Sequence, residues 1–259
     1  MPEGDTVWQT ARRLDALDGQ VLTASDFRVP SLATVDLSGR TVLETVSRGK
    51  HLLTRLSDGM TLHSHLRMEG RWDVQATGRP WRRPEHEARV VLRTAETEAI
   101  GYAVLIDLVA TMAESSLVGH LGPDLLGPDW DPLEALKRLR RQEHVPIGVA
   151  LLDQRNLAGI GNVYRAEACF LAGVDPHTPV GDLPDLPKVV VIAHRLLETH
   201  RDKHSRITTG DRRPGRRLWV YRRQGGCLRC GTTILVDELG PEGEARTVWW
   251  CPSCQPPAG

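Results

Sequence analysis

The residues that follow the initiator methionine are Pro2 and Glu3. Once Met1 is removed they present a secondary amine beside a carboxyl group. A chain-terminal amine titrates near pH 8, far below a lysine side chain at about 10.4, so an appreciable fraction is nucleophilic at neutral pH. Such an amine can attack a sugar carbon and form an iminium, the covalent strategy of Schiff-base enzymes, with Glu3 carrying protons. With Met1 attached the same nitrogen is an amide, so this chemistry presupposes methionine removal. On these two residues alone an ordinary frayed terminus is the default reading, and the rest of the chain has to decide.

The second chemical signal is Cys227-Leu228-Arg229-Cys230, a 20-residue spacer, then Cys251-Pro252-Ser253-Cys254. In a reducing compartment paired CxxC units favour metal over disulfide. Four thiolates in two knuckles match one tetrahedral Zn2+ in a closed, structural site. The spacer holds two β runs, 234–236 and 247–250, around Gly240-Pro241-Glu242-Gly243, which predicts a hairpin ribbon. Cys169 stands alone. Asn162 lies in the glycine-rich turn 157–164 at a helix start, where backbone amides can bind a phosphate, although Gly-x-Gly is also a common tight turn. Lys50 follows Ser47-Arg48-Gly49 at an expected hairpin tip; by itself a surface lysine is usually just solvated. His63 and His65 alternate along one strand face without an apparent third metal ligand, which favours packing or surface roles.

The elements that must position these groups follow from pattern. Thr6 and Gln9 fit a capping box, and Val7, Ala11, Leu14 and Leu17 form an apolar helical stripe that ends at Gly19. The N-terminal end of that helix disfavours a protonated amine nearby. Short β-rich runs follow at 21–23, 41–46, 51–56, 60–66, 89–93 and 100–108, which predicts a sandwich or barrel. Turn residues at 119–131 read as a linker. Helices are expected from Asp131-Pro132 onward, then over 147–152, 163–171 and 187–200, with a short β run at 218–221.

Composition sets the outer bounds: 259 residues, 40% hydrophobic, 25% charged and no formal net charge, a globular mixture sufficient for about two domains. Affinity for a polyanion must therefore come from clustering. Residues 201–223 supply it, with nine Arg and Lys against Asp202 and Asp211. Neither a signal pattern nor a long apolar run is present, and the expected location is cytoplasmic.

Taken together the sequence resembles the formamidopyrimidine-DNA glycosylase and endonuclease VIII family. The resemblance covers nearly the whole chain: Pro2-Glu3-Gly4, Ser47-Arg48-Gly49-Lys50-His51-Leu52, His65-Leu66-x-Met68-x-Gly70, Leu121-Gly122-Pro123-Asp124, residues 157–164 and the four-cysteine ribbon. It implies an α+β fold: an N-terminal helix with a two-sheet β-sandwich, then a helix-two-turns-helix domain with a C-terminal zinc ribbon. Implied boundaries are 1–118 (catalytic), 119–130 (linker), 131–222 (helical) and 223–259 (ribbon), with damaged DNA, duplex or single-stranded, in the cleft between them and the protein a monomer. The resemblance further implies a bifunctional glycosylase and abasic-site lyase. Pro2 attacks C1′ of a nucleotide flipped from the stack, Glu3 is the general acid/base, Lys50 touches the lesion phosphate and assists elimination as a catalytic residue, and Arg246 assists δ-elimination, best read as a phosphate clamp because of its high pKa. Asn162 matches a phosphate-binding residue, and Arg67, Met68 and His120 match DNA contacts. Gly4, and the lack of an Arg-x-Phe insertion loop at 106–112, favour oxidised pyrimidines over 8-oxoguanine; excision of 8-oxoguanine, or DNA binding without catalysis, are the alternatives. Asp5-Thr6, Arg67-Met68-Glu69 and the longer ribbon hairpin depart from the family pattern.

Overall fold

The computed structural model describes residues 2–257, and the chain divides into two compact units, residues 1–120 and 121–259. In the first, helix α1 (Gly4–Leu14) precedes strands β1 (Ala24–Phe27), β2 (Val42–Arg48), β3 (His51–Leu56), β4 (Met60–His65), β5 (Arg71–Ala76), β6 (Ala88–Arg93), β7 (Thr97–Tyr102) and β8 (Leu105–Ala110), then the short helix α2 (Ser115–Val118). Among the described residues these strands form two antiparallel sheets, ordered β1-β6-β7-β5 and β2-β3-β4-β8. The expected sandwich is present.

The core shows why. Val7, Ala11, Leu14 and Leu17 are at most 1% exposed and meet Val42, Leu52, Leu56, Leu62 and Ile106 from one sheet and Phe27, Trp72, Val90 and Leu92 from the other. Each buried side chain of this size contributes roughly 1.5–3 kcal/mol. The Trp72 indole N–H donates to Ser64 Oγ at 3.1 Å across the two sheets, giving the buried ring its polar partner.

Three local features differ from the sequence reading. Helix α1 starts at Gly4 with Glu3 as its N-cap, so Thr6 lies inside the first turn instead of capping it; the Glu3 carbonyl accepts from the N–H of Thr6 (2.9 Å) and Val7 (3.1 Å). The expected single run over 100–108 is two strands in different sheets, separated at Ala103 by a left-handed φ of 51°. Strand β5 is not among the expected runs, although Trp72 and Val74 alternating with Arg71, Asp73 and Gln75 is the period-two pattern of a half-buried strand.

The second unit contains α3 (Pro132–Arg140), α4 (Ile147–Ala150), α5 (Asn162–Ala172), α6 (Leu186–His200) and the hairpin β9 (Leu235–Leu239) and β10 (Arg246–Trp250). Asp131 caps α3 as expected, its side chain accepting from Leu133 N–H at 2.8 Å and Glu134 N–H at 3.2 Å. Gly173, at φ 76°, terminates α5. The turn-rich stretch that reads as a linker is well packed from Leu121 to Leu126, with Leu125 N–H bonded to the Ala158 carbonyl.

The run at 218–221 is not a strand. The N–H groups of Trp219, Val220 and Tyr221 all donate to the carboxylate of Glu167 on α5, at 2.8, 3.0 and 3.0 Å, and the Thr208 hydroxyl donates to it too. A buried carboxylate has replaced a neighbouring strand as the acceptor.

Candidate functional site

In the first unit the candidate residues sit at the ends of elements. Pro2 is half-buried, and Glu3 is wholly buried at the start of α1, which packs against β2 and β3. Those two strands are joined by the turn Gly49-Lys50: Arg48 pairs with His51, and Gly49 adopts φ 58°. A two-residue hairpin with a positive φ at its first position suits glycine there and places Lys50 at the tip. Arg67 and Met68 lie in the turn between β4 and β5. Arg67 has φ 50°, its N–H donates to His65 Nδ1 at 3.0 Å, and Met68 is 61% exposed. A Cβ on Gly70 would lie 2.4 Å from the Leu66 carbonyl oxygen, so the turn closes tightly only with glycine. Its exposed methionine is thereby held out from the sheet.

His120 is exposed at the end of this unit, and its ring lies 6.4 Å from that of His51. His51 in turn lies 5.1 Å from the rings of both His63 and His65. The two strand histidines therefore belong to a cluster of four. Burial and the neighbouring cationic groups hold His51 far below the ordinary imidazole range, at about 3, and His65 at about 4. Both are neutral at physiological pH.

In the second unit Asn162 is the first residue of α5 and 8% exposed. Its Nδ2 donates to the Thr247 carbonyl at 3.1 Å, and Arg165, fully buried, donates to the same carbonyl at 2.7 Å, to the Gly148 carbonyl and to Asn162 Oδ1. Asn162 and the strand that begins with the exposed Arg246 are thus joined directly, and one Asn162 amide hydrogen remains beyond the Thr247 bond. Sequence reasoning missed Arg165 and Glu167. The available signal was two charged residues inside an otherwise apolar helix, where burial demands partners.

The four ribbon cysteines bring their sulfurs within 4.8 Å of one another, with Cys227–Cys254 at 4.0 Å and Cys230–Cys251 at 3.5 Å. This set can hold a metal ion. Cys169 is remote from that role: it is fully buried and its thiol is pushed up to about 12 by burial.

Residues 1–104 match the family model for the formamidopyrimidine-DNA glycosylase N-terminal domain, and residues 121–200 match that for the formamidopyrimidine-DNA glycosylase H2TH domain. The chain is 57% identical to a probable endonuclease 8 2 of Streptomyces coelicolor, over 98% of this chain and 94% of the relative. It is 48% identical to the DNA-(apurinic or apyrimidinic site) lyase Nei2 of Mycolicibacterium smegmatis, over 98% and 99%. A Lactococcus lactis Fpg solved in complex with DNA containing an abasic site superposes with a TM-score of 0.81 at 25% identity, covering 98% of this chain and 99% of that one. The sandwich, the helical unit and the cysteine ribbon are those of a base-excision enzyme fold. The chain belongs to the formamidopyrimidine-DNA glycosylase and endonuclease VIII family.

Proposed function

We propose that the protein is a bifunctional DNA glycosylase and abasic-site lyase that removes oxidised pyrimidines through a Schiff base on Pro2. The observation that carries this reading is the pairing of Pro2 with a fully buried Glu3 at the start of α1, in a chain whose relatives are named endonuclease 8 and abasic-site lyase. Removal of Met1 frees the Pro2 amine. The amine attacks C1′ and the base departs, with Glu3 supplying and taking protons as the sugar opens. The iminium at C1′ acidifies the C2′ hydrogen; its loss expels the 3′ phosphate, and a second elimination expels the 5′ phosphate.

Lys50 at its hairpin tip, and Arg67, Met68 and His120, serve to hold the distorted DNA. In the second unit Asn162 and Arg246 serve as phosphate contacts, supported by the shared hold of Asn162 and Arg165 on Thr247, next to Arg246. Zinc is the metal best suited to the ribbon. At a Zn–S distance of about 2.3 Å a tetrahedron sets its sulfurs about 3.8 Å apart, and the observed 3.5 and 4.0 Å bracket that value. When bound, it supplies a closed cross-link and no reaction chemistry.

The expected domains are a catalytic sandwich, a helical DNA-binding domain and a ribbon, acting as a monomer on damaged DNA. No helix among the described residues is long and apolar enough to cross a membrane. A lesion panel tests the substrate reading: duplexes containing an oxidised pyrimidine should be incised faster than those containing 8-oxoguanine, and the reverse order would refute it.

A further inference from the structure

Strands β3, β4 and β8 place three polar side chains in a row on the sheet face turned away from the apolar core. Asp107 stands directly opposite His63, and His51 lies diagonally across from it, opposite His65. His63 Nδ1 is 3.2 Å from Asp107 Oδ2, and His63 Nε2 is 2.8 Å from His51 Nδ1.

The polarity of the chain follows from its outer member. A carboxylate only accepts, so His63 donates through Nδ1; a neutral His63 then accepts at Nε2, and His51 donates through Nδ1. That leaves the lone pair of His51 on Nε2, which has no hydrogen-bond partner among the described residues. The inner members are sheltered, with the His63 side chain 5% exposed, whereas the Asp107 side chain is 50% exposed. One end meets water. The other is the residue next to Lys50.

The cluster is not arranged as a metal site. Among the described residues, the group of three or more side chains placed to hold a metal ion is the set of ribbon cysteines, and the ring nitrogens of His51 and His63 are directed at each other.

We propose that Asp107, His63 and His51 form a proton relay that connects the Lys50 turn to solvent and discharges the proton released during elimination. The inference rests on the Pro2 reading. In that step the C2′–H bond breaks, its electron pair forms the C2′–C3′ double bond, and the C3′–O bond breaks with the phosphate as leaving group. The released proton, arriving from the Lys50 side, binds His51 Nε2. The His51 Nδ1 proton passes to His63 Nε2, the His63 Nδ1 proton passes to Asp107, and Asp107 releases it to water. Rotation of the two imidazole rings restores the starting tautomers, so no other reactant is consumed. The charged and titratable groups around His51 are Lys50 and Arg48 on its own hairpin, His63 and His65 on β4, and His120, with Asp107 one step beyond. Burial first, and then the neighbouring imidazoles and Lys50, oppose lasting protonation of His51, which suits a group that passes a proton on. His51, His63 and Asp107 are thus positioning and relay residues, distinct from Pro2 at the reacting carbon.

The test uses the full-length, metal-loaded protein on duplex DNA with a preformed abasic site. Single-turnover elimination is followed between pH 5.5 and 9, and borohydride trapping of the Pro2 adduct is measured in parallel. Asp107→Asn keeps the shape and an acceptor for His63 but cannot carry the proton. It should slow elimination about tenfold relative to adduct formation, less than the roughly hundredfold or more of a group that takes the proton directly, and alter the pH profile. His63→Gln should do the same, and Asp107→Glu should restore rate and profile. Overturning results are an unchanged rate and profile in both Asn and Gln variants, or loss of trapping in step with elimination, which marks a merely structural effect. Absence of a trapped adduct from the wild-type protein would overturn the Pro2 reading itself.

Discussion

Acidification from pH 7 to pH 5 should destabilise the first unit through His51. An imidazole in the unfolded chain titrates near 6.5, whereas His51 in the folded protein titrates at about 3, chiefly because burial penalises its charged form. The folded state therefore favours the neutral ring. The associated stability is present in full above pH 6.5 and is lost progressively as the pH falls toward about 3. At pH 5 the unfolded imidazole is almost fully protonated and the folded one is not; pH 5 lies about 1.5 units below the unfolded pKa, which is worth about 2 kcal/mol at about 1.4 kcal/mol per unit. The result depends little on the folded value, because anything well below 5 leaves the ring neutral. His65, lowered to about 4 and more open to solvent, adds a smaller increment in the same direction. Urea unfolding of wild type and His51→Leu at pH 7, 6 and 5, at constant ionic strength, isolates the term. The stability difference between them should change by about 2 kcal/mol across this range, in the sense that the wild type loses more on acidification. A pH-independent difference would refute the reasoning.

Other perturbations address the second unit and the sandwich. Glu167→Ala leaves three backbone N–H groups without their buried acceptor; at about 1–3 kcal/mol for each unsatisfied group, and with partial relaxation, it should lower stability by about 3 kcal/mol or more and open residues 201–223 to limited proteolysis. Gly101→Ala would place a Cβ 2.7 Å from Val90 Cγ1 and 2.9 Å from Val104 Cγ2, and overpacking of this kind should cost about 1–3 kcal/mol in thermal or urea unfolding. Cys251→Ser should release the bound metal, read by a chromophoric chelator, and weaken DNA binding; full metal content in that variant would contradict the ribbon assignment.

Much of the fold was legible because burial imposes a period. The stripe Val7, Ala11, Leu14 and Leu17, the strand His51–Leu56, the Asp131-Pro132 helix start and the paired cysteines each carry a local signal strong enough to survive into the structure. What was hidden depends on partners remote in sequence. Strand β5 carries the alternation of a half-buried strand, but its pairing with β7, which places it at the edge of its sheet, is not written in any local pattern. The stretch at 218–221 has strand-like residues, but Glu167, more than fifty positions earlier, captures its N–H groups. His63 and His65 were visible as a pair, whereas the link to His51 and Asp107 requires the register of three strands. The hold of Arg165 on Thr247 spans 82 positions, which no local pattern records.

The proposed chemistry turns on the Pro2 nitrogen. Borohydride reduction during incubation with abasic-site DNA, followed by intact mass and peptide mapping, tests it most directly. The expected product is a protein lacking Met1 with one covalently attached DNA fragment at Pro2; a fully processed, DNA-binding protein that yields no adduct, or an adduct mapped to a lysine such as Lys50, would contradict the Pro2 assignment.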